Sequence, residues 1–509
     1  MNFIVGDTIQ EKVDTVYLIN DKWDDWFTYE TQYRMNYVDA IGNSNWIGYV
    51  KIGNAGQTER RAILPESFQE LDESIFSLGA SEDYYLNLQK YLGESMEGVL
   101  VALHDVAYNL DLYEQYKSES VMQNSLMRDI TRSTLVGQFY RMAHGGSRLT
   151  NYSFVYTTST KFSRESTDLE FDVIADSKPP TNIHALIGKN GVGKTTLLRD
   201  MLRSVESKQY SDQWGGFDGR MRFSNVIFIS YSAFDMPIME DELNYEKSIP
   251  YSYVGLIGKK DDGQKYIKNI DALASDFSES LYVVAKGRKK KLWNKVISIL
   301  DSGHAFANNA IKDWADNALK IAKDSGKNRG KEEEYPVFHA DIAIRFNMLS
   351  SGHKVILLTL VKLVELVEEK TLVIMDEPEE HLHPPLVSAF IRALSYLLIY
   401  RNGVGIIATH SPVIVQEIPR KCVWKVRREN EVLVSERPKI ETFGENLGDL
   451  TSEIFGYEVL ESGFHKMLKD EAKKTHRYER ALHNFGEELG NEARSILKAY
   501  IYERDNDED

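Results

Sequence analysis

Hydrophobic and polar residues follow one another in a pattern that predicts a mixed α/β fold. Three short apolar runs bounded by turn residues are typical of buried strands, and apolar residues at helical spacing lie beside them. Because strands alternate with helices, we expect a mostly parallel sheet. The predicted strands are 182–188, 371–375 and 404–408, and the predicted helices are 194–205, 353–369 and 385–400.

The same pattern divides the chain into five segments. Residues 1–150 alternate aromatic-rich, strand-like runs with helical stretches at 84–92 and 122–142, and we expect an N-terminal α+β region of unknown role. The two halves of the parallel sheet occupy 151–205 and 341–460. The more polar stretch between them, 206–340, is predicted to be a mainly helical insertion, and 461–509 a charged helical segment with an acidic tail.

Composition restricts the classes of function. The 61 lysines and arginines against 77 aspartates and glutamates give a net charge of −16, too acidic for a surface that binds nucleic acid all over. The single cysteine, Cys422, can form neither an internal disulfide nor a cysteine-rich zinc site, so we expect a reducing compartment, the cytoplasm. No apolar run is long enough to span a membrane, and residues 1–14 do not resemble a signal peptide, so we expect no membrane association.

The first motif with defined chemistry is a phosphate-binding loop. Residues 188–195, GKNGVGKT, match G-x-x-x-x-G-K-[ST] between a predicted strand and a predicted helix, which is the context that this motif requires. We expect Lys194 to contact the β- and γ-phosphates of ATP and Thr195 to bind Mg²⁺. The alternative is a glycine-rich turn that binds nothing. The nucleotide-binding candidates are Gly188, Lys189, Asn190, Gly191, Gly193, Lys194, Thr195 and Thr196.

Two later strand ends carry candidates for hydrolysis. The predicted strand 371–375 is followed by Asp376, which is placed to bind Mg²⁺, and by Glu377, which is placed to polarise the attacking water. The strand 404–408 is followed by His410, which is placed to donate to the γ-phosphate. A solvated turn and a structural histidine are the alternatives. The catalytic candidates are therefore Lys194, Glu377 and His410, and the metal-binding candidates are Thr195 and Asp376.

A third motif, LSSGH at 349–353, places Ser350, Ser351 and Gly352 at a predicted helix start, where N–H groups can bind an anion. Taken alone, it is equally typical of an ordinary helix cap. The motif order, P-loop, LSSGH, IMDEPE and ATHSP, resembles that of ABC-type ATPases of the RecF, SMC and overcoming-lysogenization-defect (OLD) class. The resemblance implies an ABC-type P-loop ATPase fold in which the signature of one protomer contacts the nucleotide of another. Ser350, Ser351 and Gly352 thereby become nucleotide-binding candidates, and hydrolysis would require a dimer.

Several longer sequence segments narrow this resemblance to one group of ATPases. DEPEEHLHPP (376–385), ATHSPVIVQEIP (408–419), ETFGENLGDL (441–450) and SGFH (462–465) are similar to the ATPase subunit of Septu and Septu-like retron anti-phage systems. The resemblance implies a homodimer or higher oligomer, an HNH-type nuclease as partner, and in retron systems a reverse transcriptase with its RNA or DNA. No nuclease signature is visible in the chain itself, so we expect ATP hydrolysis without nuclease activity.

Some residues depart from the ABC pattern or leave alternatives open. Where ABC proteins place a Mg²⁺-contacting glutamine, after 225–229, this chain has no glutamine, and Ser230 or Ser232 are the stand-ins. His381 and His383 in EEHLHPP, like the isolated His465, lack the further ligands that zinc requires. We therefore favour an ATPase-interface loop for the histidine pair over a metal site.

A basic cluster supplies the candidates for nucleic-acid contact, namely Lys286, Arg288, Lys289, Lys290 and Lys291. With Trp293 as a stacking aromatic, these residues suit a phosphate backbone, although a solvated helix face is the alternative. Direct DNA binding fits a second hypothesis, a RecF-like DNA-repair ATPase that clamps DNA and needs no nuclease partner. A transporter subunit fits poorly, because of the nonstandard signature, the missing glutamine and the large N-terminal region.

Overall fold

A computed structural model of the chain divides into two units. The first comprises Met1–Thr150 with Ile399–Asn402, and the second comprises Asn151–Leu398 with Gly403–Asp509. The structure describes residues 1–9, 12–21, 28–128, 130, 132, 134–146, 149–161, 165–205, 210–218, 223–232, 237–238, 249–260, 262–287, 289–301, 310–326, 334–380, 382–429, 432–456, 463–475 and 477–507.

The first unit is an α+β body around one mixed sheet. Its strands are β1 (Asn2–Gly6), β2 (Thr15–Asn20), β3 (Gln32–Val38), β4 (Ser44–Asn54), β5 (Ser67–Phe68) and β6 (Ile75–Gly79). Its helices are α1 (Glu82–Leu92), α2 (Met96–Ala102), α3 (Leu110–Tyr116) and α4 (Tyr140–Ala143). Within the described residues the strand order is β5-β1-β2-β3-β4-β6, in which β1 and β2 are parallel and the other pairs are antiparallel. Apolar residues from the sheet and the helices pack into a large core, and Ile4, Tyr17, Ile19 and Val38 form a second, smaller cluster.

The predicted helix at 84–92 is confirmed, whereas the predicted helix at 122–142 is wrong. The described parts of that segment contain two π-helical stretches, Met122–Leu126 and Thr134–Phe139, and α-helix only over Tyr140–Ala143. Apolar side chains from both stretches reach the core of this unit, so burial of the apolar positions is satisfied without a continuous α-helix.

Asp105 is a buried carboxyl group inside the first unit. Its Oδ1 accepts the backbone N–H groups of Ala107 and Tyr108, both at 2.9 Å, and the Tyr85 hydroxyl donates to Oδ2 at 3.1 Å. Burial nevertheless raises the pKa of Asp105 from its usual 3.8 to about 7. The folded chain therefore keeps this proton in a pH range where the unfolded chain has lost it, and stability falls as the pH rises through that range.

We expect Asp105→Asn to remove this pH dependence, because asparagine is neutral and keeps an acceptor oxygen for the two backbone N–H groups. At about 1.4 kcal/mol per pKa unit, the variant should gain on the order of 4 kcal/mol relative to the wild type between about pH 4 and pH 8. Unfolding free energies of both proteins at several pH values measure this gain. Asp111→Asn, at an exposed position, is the control, and a constant difference between Asp105→Asn and wild type across pH would contradict the prediction.

The second unit contains the predicted parallel sheet. Its strands are β7 (Tyr152–Thr157), β8 (Asp168–Val173), β9 (Ile183–Ile187), β10 (Gly216–Phe217), β11 (Val226–Ser230), β12 (Tyr251–Gly255), β13 (Ile257–Lys259), β14 (Lys265–Ile267), β15 (Leu372–Asp376), β16 (Val404–Thr409), β17 (Val423–Glu429) and β18 (Val432–Glu436). Its helices are α5 (Lys194–Ser204), α6 (Ile270–Lys286), α7 (Lys290–Leu300), α8 (Ile311–Gly326), α9 (Glu334–Asn347), α10 (Ser351–Leu366), α11 (Pro384–Tyr400), α12 (Pro412–Gln416), α13 (Leu447–Phe455), α14 (Gly463–Lys474), α15 (Tyr478–Asn484) and α16 (Asn491–Asp507).

The order of the strands in this sheet decides where a ligand can bind. Across the described residues the order is β12-β11-β15-β16-β9-β17-β18, and all neighbours are parallel except the last pair. The carboxyl ends of β15, β16 and β9 therefore lie side by side at one edge, the place where open α/β sheets bind ligands. The predicted fold class, an α/β fold with a mostly parallel sheet that carries the P-loop, is confirmed.

The segment 206–340 differs from the expected helical insertion. Its described residues before Ile270 contain strands and no helix, and β11 and β12 belong to the main sheet, where β11 pairs with β15. The runs VIFIS and YSYVG are rich in β-branched and aromatic residues, which favour a strand. Helices follow only from Ile270 onward, as α6, α7, α8 and α9.

No helix among the described residues is both long and apolar enough to cross a membrane.

Candidate nucleotide-binding and hydrolysis site

The loop between β9 and α5 has the backbone of a phosphate-binding loop. Gly191 and Gly193 adopt φ values of +80° and +101°, which side chains with a Cβ atom rarely tolerate. Gly188 packs so closely on β17 that a Cβ atom would lie 2.1 Å from the carbonyl oxygen of Val426. Because α5 begins at Lys194, its first N–H groups open onto this loop, as anion binding requires.

Lys194 fixes the centre of the site. Its side chain is only 4% exposed, and its Nζ donates to the carbonyl oxygens of Gly188 at 2.9 Å and Lys189 at 3.1 Å. The same Nζ lies 3.7 Å from Glu377 Oε1. The amine therefore lies inside the loop and contacts the candidate base. Of the other predicted loop residues, Asn190 and Thr196 are exposed and Lys189 and Thr195 are half-buried.

Glu377 follows β15, and its carboxylate lies near the two other catalytic candidates, Lys194 and His410. Its φ of +44° is a left-handed conformation, and its N–H donates to the carbonyl oxygen of Ala408 at 2.9 Å, which ties the end of β15 to β16. Glu377 Oε2 lies 3.1 Å from Nδ1 of His410, the residue after β16. Lys194, Glu377 and His410, predicted from three separate motifs, thus contact one another in a chain of three side chains.

Thr195 and Asp376 fit a Mg²⁺ ion in position and chemistry. Asp376 is 5% exposed, and it lies in register between Ser230 of β11 and Ala408 of β16. Leu372 and Ile374, four and two residues before Asp376, share an apolar cluster with Leu197, Leu198 and Met201 of α5. Because side chains alternate along a strand, Asp376 is on the sheet face that α5 covers, and Thr195 is in the first turn of that helix. A hydroxyl and a carboxylate are hard oxygen ligands that suit Mg²⁺.

The signature residues lie at the first turn of α10. The Ser350 hydroxyl caps this helix by accepting the N–H of His353 at 3.5 Å, and its oxygen lies 2.9 Å from His353 Nδ1. Ser350 and Ser351 are exposed, and Gly352 is buried. Burial lowers the pKa of His353, and His383 lowers it further. The helix-cap alternative therefore holds for Ser350, and its contact with a nucleotide in trans stays a prediction.

Residues that the motifs did not indicate also line this edge. A cavity of 210 Å³ adjoins the start of α5. Its lining contains Asp200, whose pKa burial raises to about 6 although Arg203 and Lys161 oppose the shift. The Asp200 carboxylate sits one turn after Thr196, but no sequence motif marks such a position. The cavity is lined by Thr158, Ser159, Val192, Gly193, Thr196, Leu197, Asp200, Arg428 and Leu433.

The basic cluster differs from the expected nucleic-acid surface. Trp293 is 1% exposed, so the prediction that it stacks on a base is wrong, because the amphipathic helix α7 turns it into the core. Lys286 forms an ion pair with Glu334, Lys289 with Glu368 and Lys290 with Asp316. These carboxylates offset part of the positive charge. Lys291 is exposed, Arg288 lies outside the described residues, and nucleic-acid contact by the cluster stays a prediction.

The serine that could replace the missing glutamine and the histidines outside the catalytic candidates lie in different environments. Ser230 ends β11 beside Asp376, and its hydroxyl is buried without a hydrogen-bond partner among the described residues. His465 is buried in α14 and stacks on Phe464. His381 lies outside the described residues. Within the part of the chain that the structure describes, no three His, Cys, Asp or Glu side chains gather into a metal-binding group.

Comparisons with known proteins agree with the site. The model of an AAA domain family, whose description also names the AbiEii toxin and a Type IV TA system, matches residues 300–416, which contain the signature, Asp376, Glu377 and His410. Protein ea59 of Escherichia phage lambda is 36% identical over 503 residues, which cover 96% of this chain and 95% of that protein.

Solved structures with similar folds are more distant. The SMC head domain from Thermotoga maritima is 12% identical, with a TM-score of 0.27, and the match covers 57% of this chain and all of that one. A nucleotide-free ATP-binding cassette from an ABC transporter is 12% identical, with a TM-score of 0.28, and the match covers 61% of this chain and 98% of that one.

Proposed function

The chain belongs to the family of protein ea59 of Escherichia phage lambda, and we propose that it is an ATPase that dimerises around Mg-ATP and regulates a partner nuclease in bacterial anti-phage defence. The contact chain Lys194–Glu377–His410 carries the proposal, because a phosphate-binding amine, a carboxylate base and an imidazole meet at one sheet edge.

The geometry supports a division of labour among these residues. When ATP enters the loop, Lys194 exchanges the carbonyl oxygens of Gly188 and Lys189 for phosphate oxygens, and its contact with Glu377 weakens. Glu377 is then free to accept a proton from the attacking water, while His410 faces the γ-phosphate that is lost. Thr195 and Asp376 would hold Mg²⁺, whose positive charge would offset the negative charge of the phosphates. Apart from the attacking water, bulk solvent must be kept from the phosphates, which supports closure by Ser351 and Gly352 of a second copy.

The nuclease partner and the defence role are supported by resemblance and by the relative in a phage. The sequence segments that are similar to Septu and retron ATPase subunits include 376–385, which contains Asp376, Glu377 and His383. A full-length relative in phage lambda fits a role in competition between phages. The RecF-like alternative, direct clamping of DNA, has less support, because Lys286, Lys289 and Lys290 have carboxylate partners.

We expect the chain, purified gently from its own host, to carry a stoichiometric HNH-type nuclease, with or without a reverse transcriptase and its nucleic acid. Native mass measurement and proteomics of the same sample identify the subunits. The Lys194→Ala variant, purified in parallel, shows whether the association depends on nucleotide. A bare dimer that copurifies with DNA alone would contradict the nuclease partner and favour the clamp.

A further inference from the structure

A second carboxylate, Glu379, holds the strand end that carries His410. Glu379 lies in the turn after β15 and is 9% exposed. Its Oε1 accepts hydrogen bonds from the Thr409 hydroxyl and from the backbone N–H of His410, the latter at 3.0 Å. The Thr409 oxygen in turn accepts the N–H of Ser411 at 2.9 Å. One carboxylate oxygen thus organises three consecutive residues at the end of β16, namely Thr409, His410 and Ser411.

The same oxygen also faces the imidazole. Glu379 Oε1 lies 3.5 Å from His410 Nδ1, which Glu377 Oε2 approaches to 3.1 Å. Two carboxylate oxygens beside one ring nitrogen favour the tautomer of His410 that carries its proton on Nδ1. Its other nitrogen, Nε2, is the one left for a ligand. Since the His410 side chain is 44% exposed, the two carboxylates and the turn supply its orientation.

The burial of Glu379 argues against a role limited to holding the turn. Its Oε2 is buried and has no hydrogen-bond partner among the described residues. A buried carboxylate with one unpaired oxygen costs stability, whereas a neutral acceptor such as serine or asparagine could accept from the same hydroxyl and N–H group at lower cost. What the carboxylate adds is negative charge beside His410 Nδ1.

We propose that Glu379 is a positioning residue for ATP hydrolysis, which fixes both the strand end and the tautomer of His410 so that Nε2 faces the terminal phosphate. This inference rests on the proposed function, since it assigns a role within the same reaction. Glu379 touches neither the nucleotide nor the water in this mechanism and acts through His410.

The test compares Glu379→Ala, His410→Ala and the double variant by steady-state ATP hydrolysis. We expect Glu379→Ala to lower kcat by about 10- to 100-fold and to change KM by less than about threefold, because ATP is bound by the P-loop. If Glu379 acts through His410, the double variant should be no slower than His410→Ala.

Two further variants separate positioning from general damage to the fold. Glu379→Gln keeps an acceptor for Thr409 and His410 but loses the charge, so we expect a kcat between those of wild type and Glu379→Ala. Glu441→Ala is the matched control, because Glu441 Oε1 also caps backbone N–H groups, those of Arg420, Thr442 and Phe443 at 2.8, 3.0 and 3.2 Å. This control should hydrolyse ATP at the wild-type rate.

The outcomes distinguish this inference from the proposed function. If neither the wild type nor Glu441→Ala hydrolyses ATP, the proposed function itself fails. If both hydrolyse ATP and His410→Ala is impaired, a normal kcat for Glu379→Ala overturns the positioning role alone. A double variant clearly slower than His410→Ala would also overturn it, since the two residues would then act independently.

Discussion

Glu377→Gln is expected to bind ATP with near wild-type affinity and to hydrolyse it about 10²- to 10⁴-fold more slowly, the usual contribution of a positioned general base. Glutamine has the size of glutamate but cannot accept the proton of the attacking water. Its loss of charge also removes the contact with Lys194 at 3.7 Å, so the amine meets less competition for phosphate. Binding should therefore be unimpaired while the chemical step stops.

Phosphate release and the binding of a fluorescent ATP analogue measure the two effects separately. Glu441→Gln, at the carboxylate that caps Arg420 and Phe443, is a matched control that should hydrolyse ATP normally. If Glu377→Gln turned over ATP at the wild-type rate, another group would be the base. Loss of binding along with turnover would instead indicate damage to the loop.

A stalled enzyme should also accumulate in the closed state. In the ABC-type arrangement, slow hydrolysis prolongs the dimer, so Glu377→Gln should gain a dimeric mass on addition of Mg-ATP. Ser351 is exposed at the start of α10, where an arginine would obstruct a facing protomer. Ser351→Arg in the Glu377→Gln background should therefore stay monomeric with ATP, as light scattering can determine. A dimer that forms equally without ATP would contradict nucleotide-dependent closure.

The sequence could predict the site wherever the chemistry depends on a short local motif. Gly191 and Gly193 are needed for a left-handed backbone. Asp376 ends a strand whose other residues are apolar and Glu377 follows it, so each of these positions leaves a local signal. Parallel pairing of β15, β16 and β9 then brings Lys194, Glu377 and His410 together without further information. Glu379 left no such signal, because its role depends on a contact with a strand about 30 residues later.

The fold was predictable in its sheet and less so elsewhere. An apolar run of five residues between turns gives a strand whichever helices surround it, as for β15 and β16. Trp293 shows the opposite case: basic residues before it suggested an exposed stacking platform, yet the apolar face of α7 places it in the core. Charged residues identify the exposed face of a helix. Whether a nearby aromatic side chain is buried depends on its position around the helix axis relative to that face.

Lys194→Ala is expected to abolish nucleotide binding at ordinary ATP concentrations. Hydrogen bonds to charged groups contribute about 1.5–3 kcal/mol each, so losing two phosphate contacts should weaken affinity by about 10²-fold or more. The variant also leaves the carbonyl oxygens of Gly188 and Lys189 without the Nζ donor that they have here at 2.9 and 3.1 Å. Part of the effect is therefore loss of loop order. Titration with a fluorescent ATP analogue measures the affinity.

Two comparisons separate loss of charge from loss of packing. Lys194→Met fills a similar volume without charge, so it should bind ATP as poorly as Lys194→Ala while unfolding at a temperature closer to the wild type. Lys425→Ala is the matched control, because Lys425 is also largely buried and ion-paired, with Glu453 at 2.8 Å, yet it lies on β17 outside the loop. If Lys194→Met bound ATP normally, the charge of Lys194 would not be what holds the phosphates, and its contact with Glu377 would need a purely structural explanation.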